Sequence, residues 1–385
     1  MNNSLQLLVG FIAENDGIND KGRLSRLVAE RFALTTDRSV FYCADFAIRF
    51  SSAAKPSFSN TVLSLSNLKK FDDRPFVGCL VTPTTNHCLL ANTTFLKKIS
   101  HSSEELRENN IKGSFNGSDI IREFEGIQNI AANLERLFQI HASIGFDGNL
   151  PRLVEATNNI SPSGVKFSIS DDARKTILDS PRRAMQFVSS PEAIKLKREL
   201  DKKVERHKTE ILLAALIDNV NVRGRIIEYL IAGEDENLRQ QLISALKEGN
   251  RGIPQFKTEN ALGDYQRIFD GFHTETDVKT KIMILNSNPK AYNIDKMLAF
   301  LALDKSVFMF YFVGVEPAKI VDTVLVSMFQ EKLLKSTILL RHWAGRNSRG
   351  VTQFEGKTIN SLILKPELQI DESASLRFLE QLMTL

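Results

Sequence analysis

Ten consecutive residues from Ser306 to Val315, SVFMFYFVGV, contain no charged side chain. A strand with one face in water alternates apolar and polar residues, because successive side chains point to opposite faces. A run that does not alternate is read as a strand covered on both sides, the arrangement of a central strand in a sheet flanked by helices. The segments around it fit that reading. IDKMLAFLAL, just before it, has helical spacing, and DYQRIFDGFHTETDVKTKIMIL reads as a hairpin. Further upstream lie a long charged helix, PEAIKLKRELDKKVERHKTEILLAALIDN, and two shorter ones, NVRGRIIEYLIAG and NLRQQLISALKEG. The expected order is α-β-β-α-β: an α/β fold with a mixed central sheet flanked by helices.

A chain of 385 residues, 42% hydrophobic and 25% charged, is long enough for two domains. Residues 39–96 hold short apolar or alternating runs, FYCADFAIRF, RPFVGCLVTP and HCLLANTTFL, which predict a mixed or antiparallel sheet. In residues 116–142, Ile120, Ile121, Phe124, Ile127, Ile130, Leu134 and Phe138 recur at helical spacing and predict one amphipathic helix. From about 143 to 175 the chain is rich in Gly, Pro, Asn and Ser and reads as the connection between domains. The expected division is a mixed α/β N-terminal domain at 1–160 and a second domain at 175–385. Cys43, Cys79 and Cys88 form no metal-ligand spacing and are read as reduced. No basic-flanked leader and no run of about 18 apolar residues occurs. An intracellular, cytoplasmic protein without a membrane partner is expected.

The residues with chemical promise lie in TETDVKTKIMIL. Asp277 and Lys279 stand two apart on a strand, so a carboxylate and an ammonium leave the same face. Hydrolysing a phosphodiester needs a divalent cation to neutralise charge and a group that orients the attacking water. Asp277 suits the cation and Lys279 the water. Magnesium is usually held by one or two carboxylates, so a second acid is sought on the neighbouring strand or turn. Asp264, after Gly263, begins the hairpin; Asp270, seven residues before Asp277, competes with it. Glu228, in GRIIEYLI, lies on a helix whose Ile226, Ile227, Leu230 and Ile231 would face the core.

These residues resemble the PD-(D/E)xK nuclease superfamily, in particular type II restriction endonucleases. The resemblance spans roughly residues 195–365 and rests on Gly263-Asp264, Asp277-Val278-Lys279 and the helical Glu228. It implies a restriction-endonuclease-like core and a type II site-specific deoxyribonuclease cutting double-stranded DNA. By position, Asp264, Asp277 and Glu228 would bind Mg2+ and Lys279 would assist the water. Gly263 departs from the family's proline, which leaves Asp270 in contention. The resemblance also implies a homodimer, because a two-fold protein matches a palindromic site. Two alternatives remain: a repair or recombination nuclease on the same fold, and a DNA-binding protein that has lost catalysis.

A separate stretch, LLRHWAGRNSRGVTQFEGK, points to a polyanion. Between Glu331 and Lys357 six basic residues face two acidic ones, an excess of +4 equal to that of the whole chain. Arg341, His342, Trp343, Arg346, Asn347, Ser348, Arg349 and Gln353 are candidate DNA contacts, since Arg suits guanine and Asn or Gln adenine edges. The competing reading is a solvated basic loop with a buried tryptophan. Arg223 and Arg225 read as surface charge flanking a helix start. No HExxH, Walker loop or dinucleotide-binding GxGxxG is present, so no nucleotide cofactor is expected.

Overall fold

The computed structural model describes residues 4–55, 62–64, 69–99, 114–159, 166–249, 252–254, 256, 262–342 and 348–385. They form a mixed α/β protein of two compact units, the first holding residues 1–164 together with 342–347 and the second residues 165–341 and 348–385.

The first unit contains helices α1 (Ser4–Glu14) and α2 (Lys21–Arg31) and a five-stranded sheet. The strands are β1 (Thr35–Asp37), β2 (Val40–Tyr42), β3 (Ala47–Ser52), β4 (Phe76–Val81) and β5 (Asn86–Leu90), adjacent in that order. Only β3 and β4 run parallel; the other neighbours are antiparallel. Alternation on β4 divides the core. Val77, Cys79 and Val81 pack with Leu8, Leu24 and Val28 of the first two helices, while Phe76 and Leu80 pack with Leu150 and Leu153 on the other side. Cys79 and Cys88 face one another across β4 and β5 as free thiols.

The single helix expected over 116–142 is not formed. Glu123–Phe124 and Ile127–Gln128 pair as a hairpin, and Glu125 and Gly126 both adopt positive φ in its two-residue loop. Such a loop needs two residues in that region, and it interrupts the helical period. Ile120 and Ile127 are still buried, in non-helical backbone. Helix α3 begins at Leu134 and runs to Asn158, and so takes up residues 143–158 of the segment read as a connection. Its glycine signal is real but marks a kink, since Gly145 is non-helical with φ 69°.

The second unit opens with five helices: α4 (Asp171–Val188), α5 (Pro191–Arg206), α6 (Lys208–Ala215), α7 (Val220–Ala232) and α8 (Glu236–Lys247). Strands β6 (Tyr265–Ile268) and β7 (His273–Ile282) form the expected hairpin. Strand β8 (Lys290–Asn293) and helix α9 (Ile294–Leu301) lead to β9 (Ser306–Glu316), which lies parallel to β7; β10 (Lys319–Ser327) then returns antiparallel to β9. The four-stranded sheet has the order β6-β7-β9-β10.

Strand β9 is buried from Ser306 to Val315, as its composition requires. One of its faces is covered differently from expectation. Phe310 packs against Tyr292 and Phe354, at 6.1 and 4.9 Å between ring centroids. These two rings belong to a second, three-stranded sheet, β8-β12-β11, made with β11 (Thr337–Arg341) and β12 (Gly350–Phe354). Tyr311, at the alternate position, donates its hydroxyl to Asp201 Oδ1 on α5 at 2.7 Å. Helices α10 (Gly356–Leu364) and α11 (Glu372–Met383) complete the unit and bury Ile359, Leu362 and Leu379 in its core.

Candidate active site

The β6/β7 hairpin and helix α7 bring together Asp264, Asp277, Lys279 and Glu228. Asp277 and Lys279 are alternate residues of β7, and Lys279 Nζ donates to Asp277 Oδ1 at 2.6 Å. Asp264 immediately precedes β6. Its N–H donates to Thr276 O at 2.9 Å, and its Oδ2 accepts the N–H of Val278, also at 2.9 Å. The carboxylate thus takes over where the strand ladder ends, supplying the acceptor that a further residue of β6 would have provided. The Asp264 and Asp277 carboxyls come within reach of one another.

Glu228 arrives from α7. Asn219 caps that helix by accepting the N–H groups of Asn221 and Val222, and Ile226, Ile227, Leu230 and Ile231 are buried as their spacing predicts. The remaining face carries Glu228, whose Oε1 lies 3.8 Å from Lys279 Nζ. Glu228 therefore meets the lysine. Among the described residues no three His, Cys, Asp or Glu side chains gather as a metal ligand set. The three-acid set expected for the metal is not assembled, and the nearest approach to it is the pair Asp264 and Asp277.

Burial and like charge set the electrostatics. Burial raises the Asp277 carboxyl well above the usual range; Lys279 opposes the rise and Asp264 adds to it. Burial likewise pushes Glu228 up to about 7 against the pull of Lys279. Burial works against the Lys279 ammonium, yet Asp277, Glu228 and Asp264 together hold it above its ordinary value. The result is a charged lysine between acids that bind protons too readily, an environment a divalent cation would relieve. Two adjacent carboxyl groups fit magnesium, which keeps several of its own waters.

Asp270 is separated from this cluster. It lies in the turn beyond the Ile268–His273 pair, roughly 13 Å along the hairpin from the Asp264 end at about 3.3 Å per residue. Its carbonyl accepts from Lys305 Nζ at 3.2 Å. The glycine at 263 also has a physical reason. Gly263 donates its N–H to Glu275 Oε2 at 3.0 Å, a bond proline cannot make. A Cβ at Gly263 would lie 3.0 Å from the backbone of Thr276. Glu275, whose burial raises its carboxyl, thus supports the turn that delivers Asp264. Glu275 stands two residues before Asp277 on one strand face, a signal in the sequence by which it could have been found.

The candidate DNA contacts divide. Trp343, Arg346 and Asn347 lie outside the described residues. Arg349 is turned inward: its guanidinium pairs with Asp295 and donates to Phe167 O at 3.1 Å, and its backbone N–H also donates to Asp295. Ser348 is buried and accepts from Asn293 Nδ2 at 3.0 Å. Both side chains are engaged inside the fold, because a cation beside an internal carboxylate is held there by charge and hydrogen bonds together. Arg341 is exposed at the end of β11 and His342 follows it, half-buried. Gln353 lies opposite Ile338, and Arg341 opposite Gly350. Strand alternation therefore sends Arg341 and Gln353 to opposite faces of the small sheet.

No helix among the described residues is long and apolar enough to cross a membrane. No protein-family model matches the chain, and no curated protein matches it in sequence.

Proposed function

We propose that the second unit is a magnesium-dependent DNA endonuclease of the PD-(D/E)xK kind, acting as a type II restriction enzyme on double-stranded DNA. The observation that carries this reading is the meeting of Asp264, Asp277 and Lys279 from two separate segments, with Lys279 held as an ammonium 2.6 Å from Asp277. The order of helix, hairpin, crossover helix and parallel strand around them supports a restriction-endonuclease-like core.

Asp264 and Asp277 would hold magnesium, with Glu228 in reserve behind Lys279. When bound, magnesium supplies charge neutralisation at the phosphate and at the leaving oxygen. Lys279 orients a water by hydrogen bonding and offsets the negative charge that develops as the water attacks. Glu275 and the Gly263 N–H keep Asp264 in place. The dimer is proposed by analogy with the symmetry of palindromic sites.

A second reading, a nuclease on the same fold that recognises DNA structure instead of sequence, draws support from Arg349 and Ser348. Their inward commitment removes two of the proposed base readers. Incubation with phage DNA and magnesium tests the proposal and its site. Asp264→Ala should stop cleavage and Asp270→Ala should not. An active Asp264→Ala protein would overturn the assignment, and discrete fragments would favour the restriction reading over the structural one.

A further inference from the structure

Helix α7 has a glycine at 224 for which the described residues show no packing reason. A Cβ there would meet Glu228 Oε1 at 3.8 Å, an ordinary contact, and no other atom within 4 Å among the described residues. Its φ is not in the left-handed region. Glycine is among the poorest helix formers, and alanine would fit this position. An interior helical glycine with room for a side chain leaves bare backbone that something outside the chain can approach closely. Gly224 is one turn before Glu228, so the bare patch lies beside the Glu228 carboxyl, which itself stands 3.8 Å from Lys279 Nζ.

Arg225 borders the same patch. Its Nε donates to Asn221 O at 3.3 Å, its side chain is exposed, and its charge acts on Glu228. Among the described residues it has no ion pair within 4 Å. Arg223 differs, since its Nη1 donates to Ile217 O at 3.0 Å and closes the turn before α7. The site itself carries three acids against Lys279, a field that repels an approaching phosphodiester. A guanidinium on the rim offsets that repulsion and presents a planar fork to non-bridging oxygens.

Resting on the nuclease reading, we infer that Gly224 and Arg225 form a phosphate-binding step on α7, where the DNA backbone lies bare against the helix next to the phosphate being cut. Gly224 gives clearance and Arg225 gives charge.

The test uses the full chain and a double-stranded oligonucleotide, measuring affinity against salt without divalent cation and steady-state cleavage with magnesium. Arg225→Ala is expected to weaken binding about tenfold, to lower the salt slope by about 1, and to raise KM more than it lowers kcat. Gly224→Leu is expected to weaken binding by at least about tenfold while melting no lower than wild type. Wild-type affinity and slope in both variants would overturn the inference; so would weaker binding of Gly224→Leu only in step with a lower melting temperature, together with an unchanged Arg225→Ala. A wild type that binds DNA and never cleaves it would sink the nuclease reading alone, and the slope comparison would still decide the phosphate step. A wild type that binds no DNA would overturn both.

Discussion

Asp264 accepts the backbone N–H of Val278 at 2.9 Å, so the first acid of the candidate site is fixed to the very strand that carries Asp277 and Lys279. The separation of the acids is thereby set by a strand ladder rather than by a free loop. Positioning of this kind places catalytic groups on rigid elements.

The pair Asp277 and Lys279 is predicted to be costly to break from one side. Lys279→Met leaves a buried carboxyl beside Asp264 without its counter-charge and should destabilise the protein by about 3 kcal/mol. Adding Asp277→Asn should recover most of that loss. Urea unfolding of the two single variants and the double variant measures the coupling, and strictly additive losses would contradict it.

Gly263→Pro is predicted to harm this chain. It removes the N–H that Gly263 donates to the buried Glu275 and crowds the Thr276 backbone, at a cost of about 2 kcal/mol or more. Chemical denaturation gives the answer directly; a protein as stable as wild type would show that the turn tolerates proline.

The Glu228 carboxyl, raised to about 7 by burial, links stability to pH. A raised carboxyl means that the folded protein binds the proton more tightly than the unfolded chain. Its contribution is therefore present below the ordinary carboxylate range and is lost as pH rises toward 7. The loss is about 3 kcal/mol at roughly 1.4 kcal/mol per pH unit. Relative to wild type, Glu228→Gln should gain stability between pH 5 and pH 8 in metal-free buffer. Parallel pH profiles for the two proteins would contradict the assignment.

Arg349→Ala is predicted to act on folding before it acts on DNA. It would leave Asp295 mostly buried and unpaired, at a cost of about 3–5 kcal/mol. Thermal melting beside a DNA-binding titration separates the two effects. Loss of binding with an unchanged melt would return Arg349 to the DNA surface.

What the sequence made legible followed from strong local patterns. The uninterrupted apolar run at 306–315 announced a central strand, and the Asp277-Lys279 spacing announced a shared face. The spacing of Ile226, Ile227, Leu230 and Ile231 fixed which side of α7 bears Glu228. What it hid depended on context. The apolar residues of 116–142 keep a helical period by coincidence, and the positive φ of Glu125 and Gly126 breaks it. Arg349 looked like a DNA contact because composition cannot reveal that Asp295, 54 residues earlier, meets it in the fold. The choice between Asp264 and Asp270 depended on which end of the hairpin each occupies, a register that the spacing of acids does not encode.

On the proposed reading, Asp277 and Lys279 carry the cutting of DNA. Digestion of plasmid DNA with magnesium, comparing wild type with Asp277→Ala and Lys279→Ala, tests it most directly. Cleavage by the wild type, none by either variant, and DNA binding retained by both is the predicted result. Full cleavage by either variant, or no cleavage by the wild type, would contradict it.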